Sequence, residues 1–84
     1  MGERPKKRSL TLRGHRTSVS LEDDFWSEFR AIAAEQAMPI NVLAADIDAV
    51  RGTEIGLASA IRIFVLRDLK AKLAGRGQAD VPTN

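Results

Sequence analysis

The stretch RTSVSLEDDFW, from Arg16 to Trp26, changes its hydrophobic period from that of a strand to that of a helix within a few residues. Over residues 16–21, three less polar side chains alternate with polar ones, which is typical of a β-strand with one buried face. From Phe25 onward the apolar side chains recur at helical spacing, at Phe25, Trp26, Phe29, Ile32 and Ala33. The stretch therefore predicts a strand over residues 16–21 that runs directly into a helix over about 22–37.

The segment before this strand is also strand-like, but its apolar residues have the opposite parity. They lie at even positions before residue 14 and at odd positions after it: Leu10 and Leu12, then Thr17, Val19 and Leu21. A two-residue turn at Gly14-His15 would bring both sets onto one face, with Leu12 opposite Thr17. The other solution is a kink at Gly14, with residues 9–13 forming an arm that becomes ordered on binding. The sequence leaves both open.

Two further helices are predicted, over about residues 40–50 and 57–73. The first carries Asp46 and Asp48 on its outer face, which makes it a poor surface for DNA, and Gly52 ends it. The second is apolar nearly all round, which indicates burial on more than one side and, in so small a chain, a second subunit. We predict one domain over residues 9–74, whose last helix is capped by Gly75, and a disordered polar tail over residues 75–84.

Charge is distributed unevenly along the 84 residues. Residues 1–16 carry six cations against Glu3 alone, a net charge of +5, whereas residues 17–84 carry seven cations against ten acids, a net charge of −3. A basic segment beside a mildly acidic body favours a polyanionic partner. A solvated terminus has the same composition, and we predict a flexible basic arm over residues 1–8.

Composition argues against several classes of protein. The chain has no cysteine and a single histidine, His15, so it cannot build a zinc site. Neither a nucleophile beside a base nor a phosphate-binding glycine loop is recognisable, so we predict no enzyme, no cofactor and no metal. The longest apolar run, Ile63 to Leu66, is too short for a membrane span, and MGERPKKRS lacks the apolar segment of a signal peptide. We expect a soluble, cytoplasmic protein.

The short strand and the short chain both predict a homodimer. A domain of this size usually needs a disulfide, a metal or a second subunit, and the first two are missing. An isolated strand also leaves unpaired backbone groups, which the same strand of a second copy can satisfy about a two-fold axis. The inner row of side chains would pack on the helices. The outer row, Arg16, Ser18 and Ser20, would form a ribbon that enters the major groove of B-DNA.

This combination resembles the ribbon-helix-helix DNA-binding proteins of the methionine repressor and Arc repressor type. The resemblance rests on RTSVSLEDDFW, on the helix after it and on SAIRIFVLRDL, and it covers about residues 16–37 and 56–73. The longer stretch SLTLRGHRTSVSLEDDFW is similar to a bacterial branch of the family with an extra segment between the two family helices. The fold implied is mainly α, a homodimer with an intermolecular antiparallel β-ribbon. The function implied is sequence-specific binding of double-stranded DNA, as a transcriptional repressor or regulator.

The resemblance also implies roles for individual residues. Arg16, Ser18 and Ser20 correspond to the base-reading positions. The start of the last family helix, at Gly56, Leu57 and Ala58, is expected to hold a phosphate, mainly through backbone N–H groups. The shared dimer core is expected to contain Thr17, Val19, Leu21, Ile61, Phe64 and Val65. Independently of the family, we expect non-specific phosphate contacts from the basic segment: Lys6, Lys7, Arg8, Arg13 and His15.

Several features depart from the family pattern. Residues 39–55 add a whole helix between the family helices, and Leu57 or Ala58 stands where a small hydroxyl residue is expected. A true hairpin would be a further departure, because the dimer sheet would have four strands and a width of about 14–15 Å. Such a sheet is too wide for simple insertion into a groove. The alternative function is a protein-interaction module or an antitoxin-like protein, binding a partner protein through the helix with Asp46 and Asp48 or through the tail.

Overall fold

The computed structural model describes residues 4–80, in which a β-hairpin is followed by three helices. The strands are β1 (Lys6–Leu12) and β2 (His15–Leu21), and they form a two-stranded antiparallel sheet. The helices are α1 (Asp23–Glu35), α2 (Ile40–Val50) and α3 (Leu57–Asp80). The predicted fold class, mainly α with a short N-terminal β-ribbon and an inserted helix, is confirmed.

The hairpin resolves the parity of the apolar residues, with a turn one residue earlier than predicted. Arg13 and Gly14 form the turn, with φ of 52° and 83°, so both central residues are left-handed as a type I′ turn requires. Leu12 pairs with His15 and Leu10 with Thr17, which corrects the predicted pairing of Leu12 with Thr17. Moving a two-residue turn by one residue shifts the register by two, so the same side chains stay on the same face.

The two ends of the fold are more ordered than the sequence predicted. Residues 6–8, expected in the flexible arm, lie in β1, where Lys6 pairs with Leu21 across the sheet. At the other end α3 continues through Gly75 to Asp80, so residues 75–80 of the expected tail are helical. A glycine costs a helix only about 1 kcal/mol, and no proline occurs between the start of α3 and Pro82. Residues 81–84 of the predicted tail and residues 1–3 of the predicted arm lie outside the described residues.

The core lies between the inner face of the hairpin and the three helices. Its largest fully buried side chains come from four elements: Leu10, Leu21, Phe29, Ile32, Ile61 and Val65. Phe29 is at the centre, with the ring of Phe64 edge-on at a centroid distance of 6.2 Å. From α2, Leu43 and Ile47 pack on the same cluster. The inserted helix is therefore part of the core and not an appendage.

The ends of α1 are set by the backbone. No side chain caps the N-terminus of α1 at Glu22, because the carboxylates of Glu22 and Asp23 bind cations from other elements. At the other end Ala37 has a φ of 53°, and the Met38 N–H donates to the Ala33 carbonyl at 2.9 Å. This left-handed residue turns the chain sharply, so that Pro39 begins α2 directly afterwards.

The inserted helix also contacts the outer edge of the hairpin. The Thr11 N–H of β1 donates to Asn41 Oδ1 of α2 at 3.0 Å. Near the turn, the Arg13 guanidinium lies 3.5 Å from the Ala45 carbonyl oxygen. One edge of the sheet is thus held against α2, whereas β2 forms the other edge.

Candidate nucleic-acid interface

The outer face of the hairpin is a set of exposed polar side chains. The odd residues of β1 and the even residues of β2 share this face, in facing pairs: Lys7 with Ser20, Ser9 with Ser18 and Thr11 with Arg16. All six are exposed. The sequence from Arg4 to Leu21 contains no acidic residue. The face therefore combines two cations with four hydroxyl groups, which suits a phosphate-bearing partner.

The inner face of the hairpin carries two of the cations predicted to contact phosphate. Lys6 and Arg8 both bind the Asp23 carboxylate at the start of α1. Arg8 also donates to the Leu21 carbonyl oxygen at 3.2 Å, and its guanidinium lies 5.5 Å from the centre of the Trp26 ring. With a side chain only 16% exposed, Arg8 is a structural residue, which corrects its predicted phosphate contact. The Lys6 side chain is 61% exposed and keeps access to solvent.

An open cleft of about 430 Å³ lies beside the hairpin turn. Five predicted contact residues line it: Arg13, His15, Arg16 and Ser18 from the hairpin, and Leu57 at the start of α3. The Gly56 carbonyl accepts the Ala60 N–H at 3.0 Å, so the helical hydrogen bonds begin here and the first N–H groups of α3 have no acceptor within the helix. The structure thus brings the hairpin turn and the predicted phosphate-binding helix start to one cleft.

Two arginines that the sequence did not single out position this cleft. Arg51 binds Asp48 at 2.7 Å and donates to the Ile55 carbonyl at 2.7 Å, which fixes the loop leading into α3. Arg62 of α3 binds both carboxylate oxygens of Glu22, at 3.0 and 3.2 Å, and donates to the Ser20 carbonyl at 3.3 Å. Arg62 therefore joins α3 to the end of β2.

The two ion-paired carboxylates after β2 are more acidic than usual. The hydrogen bonds from Arg62 lower the pKa of Glu22. The hydrogen bond from Lys6, and after it in size the one from Arg8, lower the pKa of Asp23. Both carboxylates stay charged at neutral pH. Each is paired with a cation, which offsets its repulsion of a nearby phosphate.

Most of the residues predicted for a shared dimer core are buried within a single chain. Val19, Leu21, Ile61 and Val65 are buried in its own core. Phe64 is partly buried. Thr17, however, lies on the inner face opposite Leu10 and is exposed. Because Thr17 is exposed although it lies on the inner face, the core is incomplete at the edge of β2.

An apolar groove of about 290 Å³ separates the end of α2 from α3. Its lining is apolar except for two arginines: Ile47, Val50, Arg51, Ile55, Ala60, Ile63, Phe64 and Arg67. Val50 is 82% exposed, because it lies at the end of α2 beyond the core.

Sequence reasoning missed Ser9 and Thr11 as members of the outer face. The signal available was that Ser9 and Thr11 alternate with Leu10. This alternation places them on the outer face only if the segment is known to be a strand of the hairpin. Asn41 and Arg62 gave no signal, because their partners lie 30 and 40 residues away in sequence. Within residues 4–80, no three histidine, aspartate or glutamate side chains are placed to hold a metal ion. In the same range, no helix has the length and apolarity that crossing a bilayer would require.

The chain has a β-ribbon that leads into helices and that carries a row of polar side chains on its outer face. This places it in the class of small proteins built from a β-ribbon and helices. Residues 5–69 match the family model described as a ribbon-helix-helix domain, and the chain belongs to that family. The family is a non-enzymatic DNA-binding fold whose members act as dimers, generally as regulators or antitoxins. Neither the curated proteins nor the solved structures contain a match to the chain.

Proposed function

We propose that this chain is a sequence-specific DNA-binding protein that acts as a homodimer and regulates transcription, as a repressor. Two copies join the free edges of their β2 strands, and the outer face of the resulting sheet lies over the major groove. The observation that carries the proposal is the alternation in β2. Val19 and Leu21 are buried, while Arg16 and Ser18 before them and Ser20 between them are exposed on a face without acidic residues.

The base contacts are assigned to Arg16, Ser18 and Ser20. Arginine can donate two hydrogen bonds to the O6 and N7 atoms of guanine, and serine can donate or accept at a base edge. Arg16 has no ion pair within residues 4–75, so its guanidinium is available to a base. We expect Arg16 to supply most of the sequence preference, because its side chain is the longest of the three.

Phosphate contacts are assigned to the cleft beside the turn. Arg13 comes from the turn, His15 from the start of β2, and the N–H groups of Gly56, Leu57 and Ala58 from the start of α3. The helix dipole favours an anion at that end. Outside the cleft, Lys7 adds a phosphate contact from the outer face of the hairpin. Lys6 can add a contact at the far end of β1. These contacts set affinity and its dependence on salt, but not sequence preference.

Selection from a pool of random duplexes tests the proposal. The purified protein should enrich a defined sequence, and the selected duplex should bind about a thousandfold or more tighter than a scrambled duplex of equal length. Affinity for both should fall as salt rises from about 50 to about 200 mM. Equal affinity for both duplexes, or no binding at the lower salt, would remove the proposed function. Placing the selected duplex in a promoter should lower expression of a reporter gene.

A second candidate is a protein-interaction or antitoxin-like role, which the apolar groove between α2 and α3 favours. Val50 and Ile63 are exposed in this groove, and such patches on small chains often bind proteins. Asp48, which the sequence suggested for partner binding, is paired with Arg51, and Asp46 is exposed. A protein that co-purifies in stoichiometric amount, and is lost with Ile63→Glu but retained with Arg16→Ala, would establish this role.

A further inference from the structure

We propose that β1 forms the rim of the DNA-binding face, with Lys7, Ser9 and Thr11 contacting the phosphates on either side of the groove. The inference rests on the DNA binding proposed above and extends it to a strand that has no counterpart in a simple two-stranded ribbon. It assigns a role to Ser9 and Thr11, which lie on the exposed face of the hairpin.

The register of the hairpin places these three residues beside the base-reading row. Lys7 faces Ser20, Ser9 faces Ser18 and Thr11 faces Arg16 across one strand spacing. Side chains of facing residues in an antiparallel pair leave the sheet on the same side. All of them are exposed, so any partner that covers the β2 row also meets the β1 row.

The order of the strands in a dimer follows from which edge is free. At the outer edge of β1 the Thr11 N–H is already bonded to Asn41 of α2. The opposite edge of the sheet is β2, which Arg62 binds at the Ser20 carbonyl near the end of the strand but which is open beside Thr17, a residue exposed on the side that faces the helices. A second copy therefore joins β2 to β2, and the two β1 strands become the outermost strands of a four-stranded sheet.

The dimensions of that sheet place β1 over the groove edges. With a spacing of about 4.8 Å, each β1 strand lies about 7 Å from the two-fold axis. The major groove is about 12 Å wide, so its edges lie about 6 Å from the same axis. The β1 strands consequently lie over the groove edges, where the phosphates are, while the twist of the sheet lets the central β2 strands project into the groove toward the bases. An ammonium and two hydroxyl groups are suitable donors to phosphate oxygens.

The double variant Ser9→Ala, Thr11→Ala tests the inference directly. It removes four hydroxyl groups per dimer, so affinity for the selected duplex and for its scrambled form should both fall about tenfold or more, by the same factor. Ser27→Ala is the matched control, since Ser27 is an exposed hydroxyl on α1. Circular dichroism and thermal unfolding of the variant should match the wild-type protein, because both side chains are exposed.

A charge variant measures the phosphate contact by another route. Lys7→Ala should reduce the slope of log affinity against log salt by about 1.8, since each dimer loses two phosphate contacts at about 0.9 each. Lys70→Ala removes the same charge from an exposed position on α3 and should leave the slope unchanged.

The outcomes separate this inference from the function it rests on. If the wild-type protein discriminates between the duplexes while the double variant and Lys7→Ala both bind as the wild type does, β1 is not part of the interface and DNA binding stands. A double variant that loses affinity only for the selected duplex would make these hydroxyls base readers, which also overturns the phosphate role. A wild-type protein that ignores DNA overturns both proposals.

Discussion

Arg62 joins three parts of the fold through one side chain. Its guanidinium binds Glu22 and the Ser20 carbonyl, and it lies 5.8 Å from the centre of the Phe25 ring. Lys6 and Arg8 form the corresponding link from β1 to Asp23. These pairs fix the angle at which the hairpin leaves α1, and hence the direction in which the outer face points.

The pKa directions of the two carboxylates predict an acid-sensitive connection between hairpin and helices. A carboxylate whose pKa is lowered by folding stabilises the folded state above its unfolded pKa, and this contribution is lost as the pH falls through the folded value. The thermal midpoint should therefore decline as the pH falls below about 4.5, the ordinary value for Glu22. Glu22→Gln should flatten the curve of midpoint against pH in this range, and circular dichroism melts measure it.

Glu28→Gln provides the control for this measurement. Glu28 is on the same helix and has no ion pair within residues 4–80, so its variant should keep the wild-type dependence on pH. If Glu22→Gln and the wild type lost stability in parallel, the Arg62 pair would not be a source of acid sensitivity.

Single residues were predictable from sequence only where a local pattern placed them. Alternation within six residues was enough to put Arg16, Ser18 and Ser20 on one face. No such rule distinguishes Lys7, which is on the outer face, from Arg8, which is bound under the sheet. Their difference depends on where β1 pairs with β2 and on Asp23, 15 residues further along.

Among the elements, the hairpin has the largest consequences, because it departs from a simple two-stranded ribbon. It converts a two-stranded ribbon into half of a four-stranded sheet and adds a second row of polar side chains. Its turn depends on Gly14, whose φ of 83° is costly for most residues with a Cβ atom, asparagine and aspartate being the least affected. Within residues 4–80, no atom beyond the adjoining residues lies within 4 Å of the point that a Cβ atom at Gly14 would occupy. The cost of a substitution there is therefore conformational and not steric.

Gly14→Ala should therefore lower the free energy of unfolding by about 1 kcal/mol, whereas Gly14→Asn should be nearly neutral because asparagine tolerates the left-handed region. Gly75→Ala is the matched control: Gly75 lies in α3 with open space around it, so alanine should stabilise the helix by about 0.5–1 kcal/mol. Urea titrations of the three variants measure these changes. A destabilisation by Gly75→Ala equal to that by Gly14→Ala would contradict the role of the turn.

The elements themselves were more predictable than their ends. The periodicity of Phe29, Ile32 and Ala33 identifies the buried side of α1, because those residues face the core. The turn position could not be read in the same way, since both two-residue turns give the same inner face. The end of α3 was missed because Gly75 was treated as a cap, although a helix can contain a glycine.

For the molecule as a whole, the sequence predicted an oligomer from size, and the structure adds the position of the free edge. The chain buries its own core, yet Thr17 is exposed on the face that otherwise contacts the helices. A second copy at this edge would cover Thr17 and pair the backbone groups of β2. The proposed DNA-binding face exists in full only after this pairing.

Thr17→Glu should therefore convert the dimer to a monomer. The second copy would cover each glutamate at the paired edge, and burying a carboxylate without a cation is unfavourable. Sedimentation equilibrium measures the mass, and Ser27→Glu, at an exposed site on α1, should remain dimeric. A Thr17→Glu variant that dimerises as well as the wild type would place the interface elsewhere.

The most direct test of the central claim compares wild-type protein and Arg16→Ala on a selected duplex and on its scrambled form. Arg16→Ala should lose about 1–3 kcal/mol of discrimination for each guanine contact, while binding to the scrambled duplex weakens only by the lost charge. Arg30→Ala, which removes the same charge from an exposed site on α1, should keep full discrimination. If Arg16→Ala discriminated between the two duplexes as well as the wild type, the outer face of β2 would not be the surface that reads DNA.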